Sequence, residues 1–274
     1  MKLQNRVAVI TGGSMGIGEA IAHLFAAEGA AVVLMSRDLA RAEAARQRIG
    51  HPDRTIAFAC DVRRRSDLEA LAQAAIDRFG RIDIWINNAG HGLLDSVEKM
   101  KAADYRALFD TNLFGAIGGM QVAIAQMRKQ GGGTIINISS VAGFIAVPFM
   151  AAYSASKAAM NAIGRAAAVE LRHTGIRVMT VCPGYIATDF PANATQGTDR
   201  FRLSPSRPQK RSVPPSAVAE AILKGYLKNK QEVIVPARYQ LLIRLYQTAP
   251  QLFEWSMARM LRPADETIAR GDQH

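Results

Sequence analysis

A tyrosine and a lysine stand four residues apart in the stretch YSASK, Tyr153 to Lys157, with only small side chains between them. On a helix, positions i and i+4 share a face, so a phenol and an ammonium would point into the same space. A phenol with an ordinary pKa of about 10 is a proton donor, and a nearby cation favours its ionised form. Such a pair could do chemistry in that space. The same two residues also occur together on plain helix surfaces, so other parts of the chain must decide.

A second candidate is the glycine-rich run TGGSMGIG, residues 11–18. Gly12 permits a tight turn, Gly16 lets main chain approach a pyrophosphate, and Gly18 allows a helix to pack closely on a strand. The N–H groups at the start of that helix then face negative charge. A tight turn without a ligand is the plain alternative.

These residues need elements to position them. Short apolar, β-branched runs occur at 6–11, 31–35, 55–60, 82–87, 134–139, 176–181 and 232–236. Alanine-rich helical patterns lie between them, near 17–28, 39–49, 66–79, 104–130, 153–173 and 216–229. The alternation predicts an α/β fold, a doubly wound parallel sheet with helices on both faces. The strands are apolar at nearly every position, as covering both faces requires. Residues 190–215 are Pro- and Arg-rich with little periodicity, which reads as a long loop of the kind that forms lids.

The second run ends at MSRD, residues 35–38. Dinucleotide folds that prefer NAD carry an acid here for the ribose 2′-hydroxyl. Ser36 stands at that position and Arg37 follows it. A hydroxyl and a guanidinium suit a 2′-phosphate, so NADP(H) is expected in preference to NAD(H). Asp38 is more simply the N-cap of the next helix.

The chain of 274 residues is 49% hydrophobic, enough for one large domain with a substantial core. Its net charge of +11 is concentrated in the last third. Such charge attracts phosphates, acidic substrates or an anionic membrane surface, or forms a solvated basic surface. No basic stripe with interleaved aromatics marks a nucleic-acid binder, so none is expected as a partner. Cys60 and Cys182 make neither a disulfide framework nor metal-ligand spacing. No apolar run reaches the ~20 residues of a spanning helix. A cytoplasmic setting is expected, with a peripheral membrane association left open.

Seven spaced motifs appear in order: TGGSMGIG (11–18), DV (61–62), NNAG (87–90), NLFG (112–115), SS (139–140), YSASK (153–157) and PGYIAT (183–188). With these the chain resembles the short-chain dehydrogenase/reductases. The likeness implies a single Rossmann domain with a seven-stranded parallel sheet over 1–237, including a substrate lid at 190–215, followed by a helical extension at 238–274. It implies Tyr153 as acid/base, and Lys157 as the group that holds the nicotinamide ribose and lowers the phenol's pKa. Ser140, thirteen residues before the tyrosine, would polarise the substrate carbonyl, with Ser139 left to backbone bonding. Asn112 would hold a water in the proton relay, and a buried asparagine at a helix kink is a compatible reading. Cofactor contacts would come from Gly12, Ser14, Gly16, Ile17 and Gly18 at the phosphates. Ser36 and Arg37 would serve at the ribose, Asp61 and Val62 at the adenine, and Asn88, Ala89 and Gly90 between adenine ribose and nicotinamide. Pro183, Gly184, Ile186 and Thr188 would wrap the carboxamide. The family also implies a homodimer or homotetramer.

His91 follows NNAG and is expected at the pocket wall or the surface. Val141, Phe144, Phe149, Met150 and Tyr185 flank the motifs and predict an apolar pocket for a hydrophobic alcohol or carbonyl. Asp83 and Asp110 are read as holding loops and helix ends. Beyond the last strand, Leu242, Leu245, Tyr246, Phe253, Met257 and Met260 form a helical stripe, with Pro250 marking a kink or a new helix start. The stripe fits packing against this domain or a sister subunit, or an in-plane membrane contact. Taken together the residues predict an NADP(H)-dependent oxidoreductase. The alternative is a non-catalytic nucleotide-sensing or membrane-surface binding protein on the same fold, which an intact catalytic set argues against.

Overall fold

The computed structural model describes residues 1–188, 190, 193–197 and 212–260, the side chain at 260 excepted. The expected lid stretch at 200–211 and the tail at 261–274 lie outside the described residues. The chain runs β1 (Val7–Ile10), α1 (Gly16–Ala27), β2 (Ala31–Ser36), α2 (Leu39–Ile49), β3 (Thr55–Ala59), α3 (Arg65–Phe79) and β4 (Ile84–Asn87). It continues through β5 (Leu93–Leu94), α4 (Ala102–Phe109), a π-helical turn at Asp110–Phe114, α5 (Gly115–Lys129) and β6 (Gly133–Ile138). A 3₁₀ turn at Val141–Gly143, α6 (Ala151–Glu170), β7 (Ile176–Pro183) and β8 (Thr195–Gln196) follow. The described chain ends with α7 (Pro215–Leu227), β9 (Glu232–Val235), α8 (Arg238–Thr248) and α9 (Pro250–Met260).

Seven strands form one sheet in the order β3-β2-β1-β4-β6-β7-β9, parallel throughout. Side chains alternate along each strand. Ala8, Ile10, Val32, Leu34, Ile84 and Ile86 enter the layer beneath α1 and α7. Val9, Val33, Met35, Trp85 and Ile135 enter the opposite layer with Leu68 and Leu71 of α3 and Met120 of α5. This is why the strand sequences are apolar at both parities. The seven expected runs become these seven strands. The short parallel pair β5–β8 was not foreseen, and it places a strand inside the 190–215 stretch.

Chain order reverses between β1 and β4, so a crevice opens there at the C-terminal ends of the strands. The turn after β1, the NNAG loop after β4, the serines after β6 and the PGYIAT turn after β7 all leave from that edge. The fold therefore gathers motifs spread over nearly two hundred residues along one line.

Candidate active site

Construction starts at the turn after β1. Gly12 (φ 64°) and Gly16 (φ 57°) are left-handed, a conformation that costs glycine little. A Cβ at Gly18 would run into the Gly12 carbonyl oxygen and the Asn88 amide, which forces glycine where helix and turn meet. A Cβ at Gly16 would meet only Thr188, at 3.4 Å, so the turn presents a shallow cradle beside the PGYIAT segment. Met15 at the N-cap of α1 makes no side-chain capping bond, and the first-turn N–H groups remain for an anion. Ile17 packs against the core beneath, and the Ser14 carbonyl accepts from Arg48 at 3.4 Å.

Two residues outside the expected set hold this turn. The buried Thr11 hydroxyl accepts from the Asn88 and Ala89 amides at 2.9 and 3.0 Å and donates to the Ile86 carbonyl at 3.1 Å. Met35 accepts from Gly12 N at its sulfur and from Gly13 N at its carbonyl. Asn88, expected at the cofactor, returns its side-chain amide to the Thr11 and Gly12 carbonyls at 3.0 and 2.9 Å. It is the strut between β4 and the glycine turn.

At the end of β2, Ser36 Oγ accepts from Asp38 N, and Asp38 caps α2 by accepting from Ala40 N and Arg41 N. Arg37 is exposed, and its charge reaches Asp61 across the gap to β3. Both Asp61 carboxylate oxygens are engaged by Arg63 Nε, at 2.9 and 3.0 Å. That guanidinium, before any other group, holds the Asp61 carboxyl below the usual carboxylate range. A contact with an adenine, as expected from the sequence, would fall to the remaining lone pairs and the main chain of this segment. The Val62 side chain is buried against Gly115 of α5.

At the other end of the crevice, α6 carries Tyr153 and Lys157 on one buried face. Lys157 Nζ donates to the Ile138 carbonyl at 2.9 Å and lies 5.7 Å from the Tyr153 ring centre. Ser140 Oγ accepts from Ala142 N at 3.1 Å and reaches the Pro183 carbonyl at 3.4 Å. Ser139 donates to the Lys157 carbonyl at 3.1 Å, the backbone role foreseen for it. Burial pushes the Tyr153 phenol up to about 12, opposed by hydrogen bonding from Ser140. Burial also brings the Lys157 ammonium down to about 8. The expectation that Lys157 lowers the phenol's pKa is thus not what the geometry gives: desolvation dominates, and the opposing group is Ser140.

Asn112 sits in the π-helical turn, where the wider coil aims its side chain inward. Its amide clamps one residue: Oδ1 accepts from His91 N and Nδ2 donates to His91 O, each at 2.9 Å. A further contact runs from Nδ2 to Ser156 Oγ at 3.4 Å. With the side chain so committed, a water relay through Asn112 would use its main chain. A Cβ at Gly90 would stand 3.0 Å from Asn112 Oδ1 and 3.8 Å from Lys157 Nζ, so the glycine keeps open the space before the amine. Ile186 turns its side chain into the core, leaving only its main chain for a carboxamide. That segment is pinned by Ala187 N donating to the Val213 carbonyl at 2.9 Å. Gly184 lies under the Tyr239 ring of α8, and Thr188 Oγ1 accepts from Phe190 N.

Around Tyr153 the wall is apolar: Leu93, Ala142, Met150 and Phe190, with the Phe190 ring centre 5.4 Å from that of Tyr153. Of the five apolar residues expected here, Met150 packs in this cluster. Val141 and Phe144 instead pack with Tyr239, Leu242, Ile243 and Tyr246 of α8, and Tyr185 is exposed. Behind the loop lies a second apolar cavity of about 660 Å³ between Phe144, Pro148, Ala155, Ala158, Tyr246 and Met257. Asp83 is a buried hub for Arg6, Arg81 and Val7 N, as its structural reading foresaw. Cys60 and Cys182 are both buried and unpaired, with thiols pushed up to about 12 by burial. Among the described residues no His/Cys/Asp/Glu group is placed to hold a metal ion.

The chain's resemblances agree with this geometry. The short chain dehydrogenase family pattern matches residues 6–199. An uncharacterised oxidoreductase of Staphylococcus epidermidis is 36% identical over 198 residues, 72% of this chain and 84% of that protein. One from Mycobacterium bovis is 40% identical over 184 residues, 67% of this chain and 74% of its own. A 3-ketoacyl-(acyl-carrier-protein) reductase from Brucella melitensis, solved with NADH, superposes with a TM-score of 0.74 at 30% identity. It covers 85% of this chain and 97% of the reductase. A Burkholderia phymatum short chain dehydrogenase/reductase in complex with NAD shares the fold, with a TM-score of 0.81 at 24% identity, over 92% of this chain and 96% of that one.

Proposed function

Because the chain belongs to the short-chain dehydrogenase/reductase family of oxidoreductases, we propose that it interconverts a hydrophobic alcohol and its carbonyl, with NADP(H) as the hydride carrier and Tyr153 as acid/base. The observation that supports this reading is that the buried Tyr153 phenol hydrogen-bonds with Ser140 and has the Lys157 amine 5.7 Å from its ring centre.

The nicotinamide cofactor, when bound, supplies or accepts the hydride. The chain's residues do the rest. The Tyr153 phenol, held protonated by burial, is in the form that gives a proton to a carbonyl oxygen during reduction. The Ser140 hydroxyl donates to the same oxygen, stabilising the charge that develops there. Lys157, its amine anchored by the Ile138 carbonyl, would hold the ribose hydroxyls. Asn112 keeps the His91 loop in register with α6. Cofactor phosphates would rest on the cradle at Gly12, Ser14, Gly16, Ile17 and Gly18, with Asn88, Ala89 and Gly90 along the ribose path. Main chain at Pro183, Gly184, Ile186 and Thr188 would meet the carboxamide, and Asp61 and Val62 would border the adenine.

Preference for NADP(H) over NAD(H) is supported by Ser36 and the exposed Arg37, with no acid at the strand end. The NAD and NADH of the related structures belong to those proteins. A hydrophobic substrate is supported by the ring of Leu93, Met150 and Phe190. Assembly as a homodimer or homotetramer is supported by the exposed Phe114 and Val169 on the outer helices. The test is a screen of aliphatic and aromatic aldehydes and ketones with NADPH and with NADH, read as loss of reduced-nucleotide absorbance. Turnover of an apolar carbonyl with NADPH is the expected result, and turnover of none with either nucleotide would count against the reading.

A further inference from the structure

Helices α8 and α9 carry apolar residues on two opposite faces, and among the described residues only one of them is used in packing. On the inner side, Tyr239, Leu242, Ile243 and Tyr246 pack against Val141 and Ile145. Tyr246 also meets the edge of Phe253 at 5.9 Å, which joins the inner sides of the two helices. On the outer side Leu241, Leu245, Leu252 and Trp255 are left 64%, 48%, 63% and 56% exposed. Of the stripe expected from the sequence, Leu242, Tyr246, Phe253 and Met257 turn inward, while Leu245 belongs to the outer face; the Met260 side chain lies outside the described residues.

The outer face is also basic. Helical spacing puts Leu241 and Leu245 on one side of α8, flanked by Arg244, and puts Leu252, Trp255 and Arg259 on one side of α9. The Arg259 guanidinium stacks over the Trp255 ring, 4.2 Å from its centre. Glu254 is the one acid of the two helices, and it borders the inner cavity.

We propose that this face docks in the plane of an anionic membrane surface, its leucines and Trp255 at the headgroup boundary and its arginines on lipid phosphates and carboxylates. Leucine and tryptophan beside arginine, on helices too short and polar to cross a bilayer, is the composition of an in-plane anchor. A second copy of the chain fits less well. A two-fold contact presents the same patch from both sides, and Arg244 and Arg259 would then face their own copies. An anionic leaflet neutralises them, and the chain's net charge of +11 adds to the attraction. Each arginine near such a leaflet strengthens attachment about fivefold. The inference is independent of the catalytic reading.

The full chain would be sedimented with vesicles of phosphatidylcholine alone and of phosphatidylcholine and phosphatidylserine in equal parts. Trp255 emission would be followed in parallel, since Trp85 is wholly buried. The expected result is attachment at least about tenfold stronger to the anionic vesicles, weakened by salt, with a blue shift of tryptophan emission. Arg244→Glu with Arg259→Glu, and separately Leu241→Glu with Leu252→Glu, should each weaken it at least about tenfold. Far-ultraviolet circular dichroism of both variants should match the parent. No attachment of the parent to anionic vesicles, or equal attachment of parent and variants, would overturn the proposal. So would a change of oligomeric state in the leucine variant with vesicle attachment unaltered, which would make the face a contact between copies.

Discussion

Lys157 Nζ donates to the carbonyl of Ile138, the last residue of β6, at 2.9 Å, and stands 5.7 Å from the ring centre of Tyr153. The sheet edge, not the phenol, holds the amine. Both groups of the i, i+4 pair are buried, and burial disfavours the charged form of each. Burial therefore raises the pKa of the phenol and lowers that of the amine.

Burial brings the Lys157 ammonium down from 10.5 to about 8. A depressed pKa in the folded state contributes stability that is present above 10.5 and lost as pH falls through 8. Between those values the unfolded chain binds the extra proton, and the fold gains about 1.4 kcal/mol per pH unit. Lys157→Met lacks this term. The stability difference should shift toward the parent by about 3 kcal/mol between pH 8 and pH 10.5, measured by denaturant titration at several pH values. A constant difference across that window would rule out the buried amine as its source.

Arg37 sets cofactor choice in the proposed reading. A charge-assisted hydrogen bond contributes about 1.5–3 kcal/mol, so Arg37→Ala should weaken NADPH roughly ten- to hundredfold and leave NADH nearly unchanged. Nucleotide fluorescence titration measures both. Equal losses for the two nucleotides would remove the 2′-phosphate from the account.

The two later glycines of the turn should fail differently. Gly18→Ala drives a methyl into the Gly12 carbonyl and should lower stability by about 1–3 kcal/mol. Gly16→Ala strains a left-handed residue by about 1–2 kcal/mol and also fills the cradle beside Thr188, so nucleotide affinity should fall further than stability does. Thermal melting paired with nucleotide titration separates the two. A Gly18→Ala protein that melts with the parent would contradict the packing described.

Much of this was legible in the sequence because the signals were local. A parallel strand covered on both faces is apolar at every step, and so Val7–Ile10 or Ile84–Asn87 stands out from its flanks. Tyr153 and Lys157 lie within one helical turn. Thr11 was missed because its partners, Ile86, Asn88 and Ala89, are more than seventy residues away and a threonine before a glycine carries no mark of that. Asp61 was read without Arg63, although the two are near neighbours, because chelation depends on where β3 releases the chain. The two-residue strands β5 and β8 have no periodicity to detect. In α8 and α9 the apolar positions cover both faces, and a single stripe drawn through them could not tell Leu242, inside, from Leu245, outside.

In the proposed reading Tyr153 moves the proton while hydride passes to or from carbon. The most direct measurement compares Tyr153→Phe with the parent, using the best carbonyl substrate of the screen and NADPH. The phenyl ring keeps the packing on Phe190 and removes only the hydroxyl. Turnover should fall about 10²–10⁴-fold, with NADPH affinity by fluorescence titration nearly unchanged. Turnover close to that of the parent would contradict the account.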